Sequence, residues 1–213
     1  FPTRRSSDLD TAKPGMTELE VAWELEKFMR ENGSQGLAFP SIIATGSNTA
    51  LPHATPGERK LERGELLLLD MGAKYEGYCA DLTRMIAIGR PSKRQLEVYG
   101  VVRRAQETAL AGIRGGMDGI ASDRLAREVI QGAGFGDNFG HGLGHGVGLA
   151  VHEGPRLSPL AEKEDRLEPG MVVTVEPGIY LVGEFGVRIE DLTVVREDGL
   201  EVLSGAPKEL RSI

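Results

Sequence analysis

The sequence predicts an α+β domain of two similar halves, in which helices cover one face of a curved, mostly antiparallel sheet. The first observation behind this prediction is an internal duplication, because LERGELLLLDMG at 61–72 resembles LEPGMVVTVEPG at 167–178. The second is that each half reads as a helix, then a loop, then strands. Two copies are too few for a solenoid, so we expect one domain with a pseudo-twofold axis.

The duplication continues on both sides of these apolar runs. ADLTR at 80–84 resembles EDLTV at 190–194, and HATP at 53–56 resembles HEGP at 152–155. Acidic residues and histidines therefore recur at equivalent places in the two halves.

Three helices are predicted from capping residues and apolar periodicity. The first begins at a capping box of Thr17 and Glu20 and stops at Asn32-Gly33. Its buried face carries three apolar residues: Val21, Leu25 and Phe28. The second copy of this helix is predicted from about Ile120 to Gln131.

A longer helix lies between the halves. Ser92 and Gln95 form its capping box, and Gly115-Gly116 ends it. Apolar residues recur along it at helical spacing: Val98, Val102, Ala105, Ala109 and Ile113. Strands are predicted where β-branched and apolar residues dominate, in ELLLLD, YCADLTRMIAI, MVVTVE and VRIEDLTVV.

Composition limits the classes of function. With 40% hydrophobic and 27% charged residues, the chain of 213 residues has the composition of a globular protein. The net charge of -7 argues against nucleic acid or an anionic membrane as the main partner. No apolar run approaches the length of about 18 residues that spans a bilayer. We therefore expect no nucleic-acid or membrane partner, and a cytoplasmic location.

The first nine residues form a separate case. FPTRRSSDL at 1–9 resembles a translated sequencing adapter, so we expect this segment to be non-native. Residues 10–213 then form the catalytic domain, with a truncated start.

Carboxylates inside apolar strands are the main functional signal. Asp70 ends LLLLD, Glu176 ends VVTVE, Asp81 lies within YCADLT, and Glu190 lies within VRIED. Any one of them alone would be read as a strand-end residue exposed to water. As symmetric pairs near one axis they would repel each other strongly unless cations lay between them, and two divalent ions neutralise four negative charges.

The segment GHGLGHGVGLAVHEGP at 140–155 carries three of the four histidines. Its alternating glycines make a helix very unfavourable, and HExxH, the zincin motif, is absent. In an extended segment five residues would share one face: His141, Leu143, His145, Val147 and Leu149. Glycines on the other face would let neighbouring backbone approach closely.

With these motifs, the chain resembles the catalytic domain of the pita-bread (M24-type) metallopeptidases, the family of methionine aminopeptidase, Xaa-Pro aminopeptidase and prolidase. The resemblance implies the pita-bread fold and two divalent ions, with Mn²⁺ preferred and Co²⁺, Fe²⁺ or Zn²⁺ as alternatives. The family's ligand motifs fall on five residues: Asp70, Asp81, His145, Glu176 and Glu190. Matching the DLT letters of the two copies would instead align Asp81 with Asp191, and the family motif favours Glu190.

The long H-G-L-G-H form with its H-E-G-P ending is similar to the Xaa-Pro branch, so the resemblance implies hydrolysis of the N-terminal Xaa-Pro bond of peptides or dipeptides. Asp81 and Glu190 would bridge the two ions, and Glu176 would act as the general base and then the general acid. The resemblance makes His53 and His152 catalytic residues and implies five substrate-binding residues: His53, His141, His152, Tyr180 and Arg188. Four residues are expected as walls of the proline slot: Phe39, Leu143, Val147 and Tyr180.

Three other functions stay open from the sequence. They are a methionine aminopeptidase-like activity, a catalytically silent relative that binds peptides, and a metal-free amidinohydrolase. The expected partner is a peptide substrate, and a homodimer stays open as the assembly.

Overall fold

The computed structural model describes residues 12–213. The segment 1–9 lies outside the described residues, so its non-native origin stays a prediction.

Three α-helices form the helical layer of the described chain: α1 (Glu18–Glu31), α2 (Lys93–Gly112) and α3 (Gly119–Gly132). Both predicted capping boxes are present, Thr17 with Glu20 and Ser92 with Gln95. The buried face of α1 was wrong at one position, because Met29 is buried while Phe28 is only half-buried. The end of α2 was also misplaced, since the backbone already turns extended at Ile113.

Fourteen strands complete the described part of the chain. Those of the first half are β1 (Gly36–Leu37), β2 (Ile42–Thr45), β3 (Leu66–Met71), β4 (Ala73–Tyr75), β5 (Tyr78–Cys79) and β6 (Leu82–Ala87). Those of the second half are β7 (Gly144–Gly146), β8 (Glu153–Leu157), β9 (Val172–Val175), β10 (Gly178–Leu181), β11 (Phe185–Arg188), β12 (Asp191–Val195), β13 (Leu200–Val202) and β14 (Arg211–Ser212).

Strand pairing is antiparallel except between β14 and β6. The pairing forms a sheet ordered β14-β6-β3-β2, a sheet ordered β13-β12-β9-β7-β8, and two small sheets, β1-β4-β5 and β10-β11. The prediction of mostly antiparallel strands is confirmed, and hydrogen bonding divides them into these four groups. The two large sheets meet where the amide of Glu190, the residue before β12, donates to the carbonyl of Thr83 in β6 at 3.2 Å.

The predicted duplication is visible in the topology. The order β6-β3-β2 in the first half is repeated as β12-β9-β7 in the second. Even the isolated bridges recur, because Thr17 pairs with Lys60 before α1 and Asp118 pairs with Arg166 before α3. Both N-cap side chains, Thr17 and Asp118, accept a hydrogen bond from an amide three residues later.

Two predicted strands are interrupted at the acidic residues. YCADLTRMIAI divides into β5 and β6, with Asp81 in the gap, and VRIEDLTVV divides into β11 and β12, with Glu190 in the gap. Each carboxylate is thus the last residue before a strand of one of the two large sheets. An interruption changes the direction of a side chain relative to the regular strand, which lets these two carboxylates turn toward each other.

The strand β3 is buried on both faces. Leu66 and Leu68 belong to the main hydrophobic core, which also contains the apolar face of α2. Leu67 and Leu69 belong to a smaller core together with Val21 and Leu25 of α1. This alternation explains why the strand reads as a continuous run of leucines. It also fixes Asp70 at the end of a rigid, fully packed strand.

No helix within residues 12–213 is long and apolar enough to cross a membrane.

Candidate metal centre

The sites expected from the sequence meet at one cavity of about 540 Å³ between the two halves. Eight of its lining residues are among the expected ligands and histidine contacts: Asp70, Asp81, His145, Glu176, Glu190, His53, His141 and His152. Arg188 and Phe39 also line it. The expectation for two proline-slot walls was wrong, because Leu143 and Val147 are buried and are not among the residues that line this cavity.

A compact group of three ligand types lies at the centre of the cavity. One ligand atom from each of Asp81, His145 and Glu190 lies within 4.8 Å of the other two. His145 Nε2 is also 3.3 Å from Glu176 Oε1 and 3.7 Å from Asp81 Oδ2. This cluster combines carboxylate oxygens with one imidazole, a donor set that suits a divalent transition metal such as Mn²⁺.

Three of the four carboxylates accept a hydrogen bond from a neighbouring side chain on one oxygen. Arg188 donates to Oδ2 of Asp70, Thr83 donates to Oε2 of Glu190 at 2.7 Å, and Thr174 donates to Oε1 of Glu176 at 3.1 Å. The other oxygen of Asp70, Oδ1, is buried and has no hydrogen-bond partner among the described residues. A buried carboxylate oxygen without a partner is costly unless a cation binds it. The residues present therefore fit a metal site.

The protonation of these carboxylates reflects their crowding. Burial, with the charges of Asp70 and Glu176, raises the pKa of Asp81 to about 8. Burial, with the charges of Asp81 and Glu176, raises the pKa of Glu190 well above its ordinary value. Burial also raises the pKa of Asp70, although the nearby Arg188 opposes this shift. Bound cations would reverse these shifts, because positive charge favours the ionised carboxylates.

Glu176 and His145 behave differently from these acids. Burial alone would raise the pKa of Glu176, but the hydrogen bond and charge of His145 outweigh burial and lower it. Burial alone would lower the pKa of His145, but Glu176 raises it. His145 Nδ1 lies 3.0 Å from the Gly146 carbonyl, which can only accept a hydrogen bond. The proton of a neutral ring is thus held on Nδ1, and Nε2 is left facing the carboxylates as a ligand atom.

His141 lies beside the ligand cluster. Its Nδ1 donates to the Gly142 carbonyl at 2.7 Å, and its Nε2 lies 2.8 Å from the Tyr180 hydroxyl. Arg188 Nη1 donates to the same hydroxyl at 2.9 Å, so the hydroxyl proton is directed to His141 Nε2. Burial lowers the pKa of His141 and raises that of Tyr180 to about 12, which keeps both groups neutral near pH 7.

Tyr180 and Arg188 are buried residues that support the side chains at the cavity by hydrogen bonds. Tyr180 is buried and is not among the residues that line the cavity, contrary to the expectation of a proline-slot wall. Arg188 as a whole residue is 3% exposed, and its guanidinium donates to Asp70, to the hydroxyls of Tyr180 and Thr83, and to the Pro52 carbonyl. This geometry favours a supporting role for both residues.

The ambiguity between Glu190 and Asp191 is resolved by position. Glu190 lies in the ligand cluster, whereas the fully buried Asp191 pairs with Arg84 at 2.6 Å and with Lys208. Matching by strand also aligns Asp81 with Glu190, since each precedes its strand by one residue.

The sequence reasoning missed Thr83, Thr174 and Arg156. Both threonines support ligand carboxylates, and each is a polar residue inside an apolar strand two residues from an acid, a signal that could have revealed them. Arg156 lines the cavity, is exposed, and forms no side-chain hydrogen bond or ion pair with the described residues. Its only sequence signal is its position four residues after His152.

The model of metallopeptidase family M24 matches residues 6–197. This chain belongs to metallopeptidase family M24. Its fold is the pita-bread fold, since it superimposes with a TM-score of 0.94 on a solved Xaa-Pro dipeptidase from Bacillus anthracis, at 46% identity over 97% of this chain and 57% of that one.

Two curated relatives give the same family. The chain is 48% identical over 198 residues to an uncharacterized peptidase, YqhT, of Bacillus subtilis, covering 93% of this chain and 56% of the relative. It is 44% identical over 196 residues to a Xaa-Pro dipeptidase of Pyrococcus furiosus, covering 92% and 56%. The chain thus spans little more than half the length of these curated M24 relatives.

Proposed function

We propose that this chain is the catalytic domain of an exopeptidase that needs two divalent metal ions and hydrolyses the N-terminal Xaa-Pro bond of peptides or dipeptides. The observation that carries the proposal is the convergence of four carboxylates and one imidazole at a single cavity. The names of similar proteins, Xaa-Pro dipeptidase among them, support the choice of bond.

Five residues would hold the two ions. They are the ones that the ligand motifs select: Asp70, Asp81, His145, Glu176 and Glu190. When bound, the ions supply Lewis acidity, which lowers the pKa of the attacking water. The single imidazole among oxygen ligands favours Mn²⁺, with Co²⁺, Fe²⁺ or Zn²⁺ as alternatives.

Glu176 is the residue that would move the proton. Its pKa is lowered by His145, so the carboxylate is ionised at neutral pH and can accept a proton from water. The same group can then deliver the proton to the leaving nitrogen. Thr174 fixes its Oε1, which restricts the rotation of the carboxylate.

Histidines would contact the substrate from two sides of the cavity. His152 lies beside the ligand His145, with 4.3 Å between ring centroids, and His53 belongs to the opposite half. Burial and the neighbouring His145 lower the pKa of His152, which favours its neutral form. We assign His53 and His152 to stabilisation of the tetrahedral intermediate, and His141, which the Tyr180 hydroxyl orients, to contact with the substrate.

The proline ring needs an apolar slot, and the proline nitrogen of an Xaa-Pro bond carries no hydrogen to donate. The apolar residues that line the cavity come from the first half of the chain: Phe39, Pro40, Ile42, Pro52, Ala54 and Pro56. They support binding of the ring better than the two buried residues Leu143 and Val147 do.

Arg156 supports dipeptides as the preferred substrates. An exposed guanidinium at the cavity attracts a carboxylate, and the C-terminal carboxylate of a dipeptide lies one residue from the scissile bond. Arg156→Met is therefore expected to raise the KM for Met-Pro, while the KM for its C-terminal amide stays unchanged. Equal KM changes for both substrates would contradict this assignment.

Hydrolysis of matched dipeptides tests the proposed function. Purified protein with added Mn²⁺ is expected to cleave Met-Pro faster than Met-Ala. Faster cleavage of Met-Ala would instead indicate a methionine aminopeptidase. Release of product from a guanidino substrate in the presence of a chelator would indicate an amidinohydrolase, and peptide binding without any cleavage would indicate a silent relative.

A cytoplasmic location and a homodimer belong to the same proposal. The net charge of -7 supports the absence of nucleic-acid and anionic membrane partners.

A further inference from the structure

The helix α3 carries an ion pair that belongs to none of the ligand motifs. Arg127 Nε donates to Asp123 Oδ2 at 2.6 Å, and Arg127 Nη2 donates to Asp123 Oδ1 at 2.9 Å. The Asp123 side chain is 2% exposed, unlike those of the other pairs with the same helical spacing, such as Glu26 with Arg30. A surface pair of this spacing contributes little to stability, so burial of Asp123 needs another explanation.

The same two side chains bind the segment 139–143, which follows α3 and enters the metal centre. Arg127 Nη1 donates to the Phe139 carbonyl at 2.9 Å, and Nη2 donates to the His141 carbonyl at 2.7 Å. The guanidinium also lies 4.1 Å over the Phe139 ring. Asp123 Oδ1 accepts from the Leu143 amide at 3.0 Å. The Asp123–Arg127 pair on α3 therefore binds the backbone of every second residue of this segment, namely Phe139, His141 and Leu143.

This segment is linked to two of the expected ligands, directly to Glu176 and through two other side chains to Asp70. The Leu143 carbonyl accepts from the amide of Glu176 at 2.8 Å, which fixes the backbone of the expected proton carrier. The His141 ring reaches the Tyr180 hydroxyl, which accepts from Arg188, and Arg188 donates to Asp70. A shift of residues 139–143 would therefore move both Glu176 and the support of Asp70.

We propose that Asp123 and Arg127 are positioning residues of the metal centre, which hold residues 139–143 so that Glu176 and His141 keep their places at the cavity. This inference rests on the proposed function for its kinetic readout. Its structural part concerns only the hydrogen bonds from α3.

The test uses Arg127→Met, which keeps most of the side-chain volume but removes every donor, and Arg127→Lys, which keeps the charge. Arg127→Met is expected to lower kcat on Met-Pro by about 10–100-fold, the usual effect of losing a group that orients metal ligands. The KM is expected to rise as well, because His141, which the pair holds in place, lines the cavity. Arg127→Lys is expected to recover part of the loss.

The second readout is amide hydrogen exchange without metal. The amides of Leu143 and Glu176 are expected to exchange faster in Arg127→Met than in the wild type. Arg30→Met is the matched control, because Arg30 pairs with Glu26 at the same spacing on α1 and is half exposed. The control should change neither readout.

Three outcomes separate the two proposals. A wild-type protein inactive on Met-Pro would reject the proposed function, while the exchange data would still test the inference. Wild-type rates of both exchange and catalysis in Arg127→Met would overturn the inference. A drop in kcat with unchanged exchange at Leu143 and Glu176 would also overturn it, because positioning would not be the cause.

If Arg127→Met fails to fold, Asp123→Asn is tested in its place, since it retains an acceptor for the Leu143 amide. The same changes in kcat and in amide exchange are then expected, but smaller.

Discussion

At neutral pH the carboxyl group of Asp81 keeps its proton in the metal-free protein, because its pKa is raised from 3.8 to about 8. The unfolded chain loses this proton near the ordinary value. Between these two values the folded protein therefore binds one proton more than the unfolded chain at this residue. Bound divalent cations would displace this proton, because their positive charge would offset the repulsion between the ionised carboxylates.

We predict that Asp81 makes the metal-free protein less stable as pH rises from about 4 to about 8. Its contribution is fully present below its unfolded pKa and is lost as pH passes its folded pKa, with a slope of up to about 1.4 kcal/mol per pH unit. Urea unfolding in the presence of a chelator measures this slope, which Asp81→Asn is expected to flatten. An identical pH dependence for wild type and variant would show that the carboxyl is ionised throughout.

Glu176 is expected to carry the proton of the reaction. Glu176→Gln keeps the size and the contact with Thr174 but removes the basic group, so we predict a fall in kcat on Met-Pro of roughly 10²–10⁴-fold. Glu168→Gln, the same change at an exposed residue of the same half, is the control and should keep wild-type kcat. Comparable activities in the two variants would remove Glu176 from the mechanism.

Residue types and motif order were enough to predict which carboxylates and histidine meet at the cavity. They were not enough for residues such as Thr83 and Arg127, whose contacts depend on tertiary distances between segments far apart in the chain. The burial of Met29 in place of Phe28 was missed because neighbouring helix residues point about 100° apart, so a small error in the assumed buried face exchanges one for the other.

At the level of elements, the glycines of 140–148 show how the second half brings backbone close to the centre. A Cβ at Gly144 would lie 2.1 Å from the Thr174 carbonyl oxygen, and one at Gly146 would lie 2.1 Å from the Gly154 carbonyl oxygen. The predicted close approach is therefore confirmed at these glycines. The predicted single face was wrong, because β7 covers only Gly144–Gly146, an irregularity follows His145, and Leu149 is 65% exposed.

We predict that Gly144→Ala destabilises the protein by about 1–3 kcal/mol, since the added methyl group must push β7 away from β9. Activity should fall as well, because Thr174 donates to Glu176 and accepts from the His145 amide. Gly140→Ala is the matched control, since a Cβ there has no atom within 4 Å. Thermal unfolding and kcat measure both effects, and equal melting temperatures for the two variants would contradict the close packing.

At the level of the whole molecule, ion pairs join the two halves around the cavity. Arg84 of β6 pairs with Asp191 of β12, and Arg188 of β11 pairs with Asp70 of β3. Arg84 also donates to the Ala206 and Pro207 carbonyls, which holds the last part of the chain against the back of the site. Gln106 of α2 donates to the same Asp191 at 3.1 Å.

Breaking the Arg84 pair is expected to be costly. Arg84→Met leaves Asp191 buried with fewer partners, so we predict a loss of about 3–5 kcal/mol in the free energy of unfolding. Arg196→Met, which removes an exposed pair with Glu201, should cost less than about 1 kcal/mol. Urea unfolding of both variants measures the difference, and a similar small cost for each would mean that Lys208 and Gln106 suffice for Asp191.

The duplication predicted most of the global arrangement, since Asp70 near the end of β3 and Glu176 just after β9 belong to equivalent strands of the two repeated strand orders. It could not predict how hydrogen bonding divides the sheet, because the gaps at Asp81 and Glu190 depend on the turn of each carboxylate toward the cavity. The pairing of Asp191 with Arg84 could not be predicted either, because DLT occurs in both copies and its letters do not show that Asp81 faces the cavity while Asp191 pairs with Arg84.

The most direct test of the central claim is a titration of metal-free protein with Mn²⁺ during Met-Pro hydrolysis, with bound metal counted in parallel. We predict no hydrolysis in chelator and an activity that saturates as about two ions bind per chain, the number that balances the carboxylates of the centre. Full Met-Pro hydrolysis in chelator, or wild-type metal binding and activity in Asp81→Asn, would contradict the proposed dinuclear site.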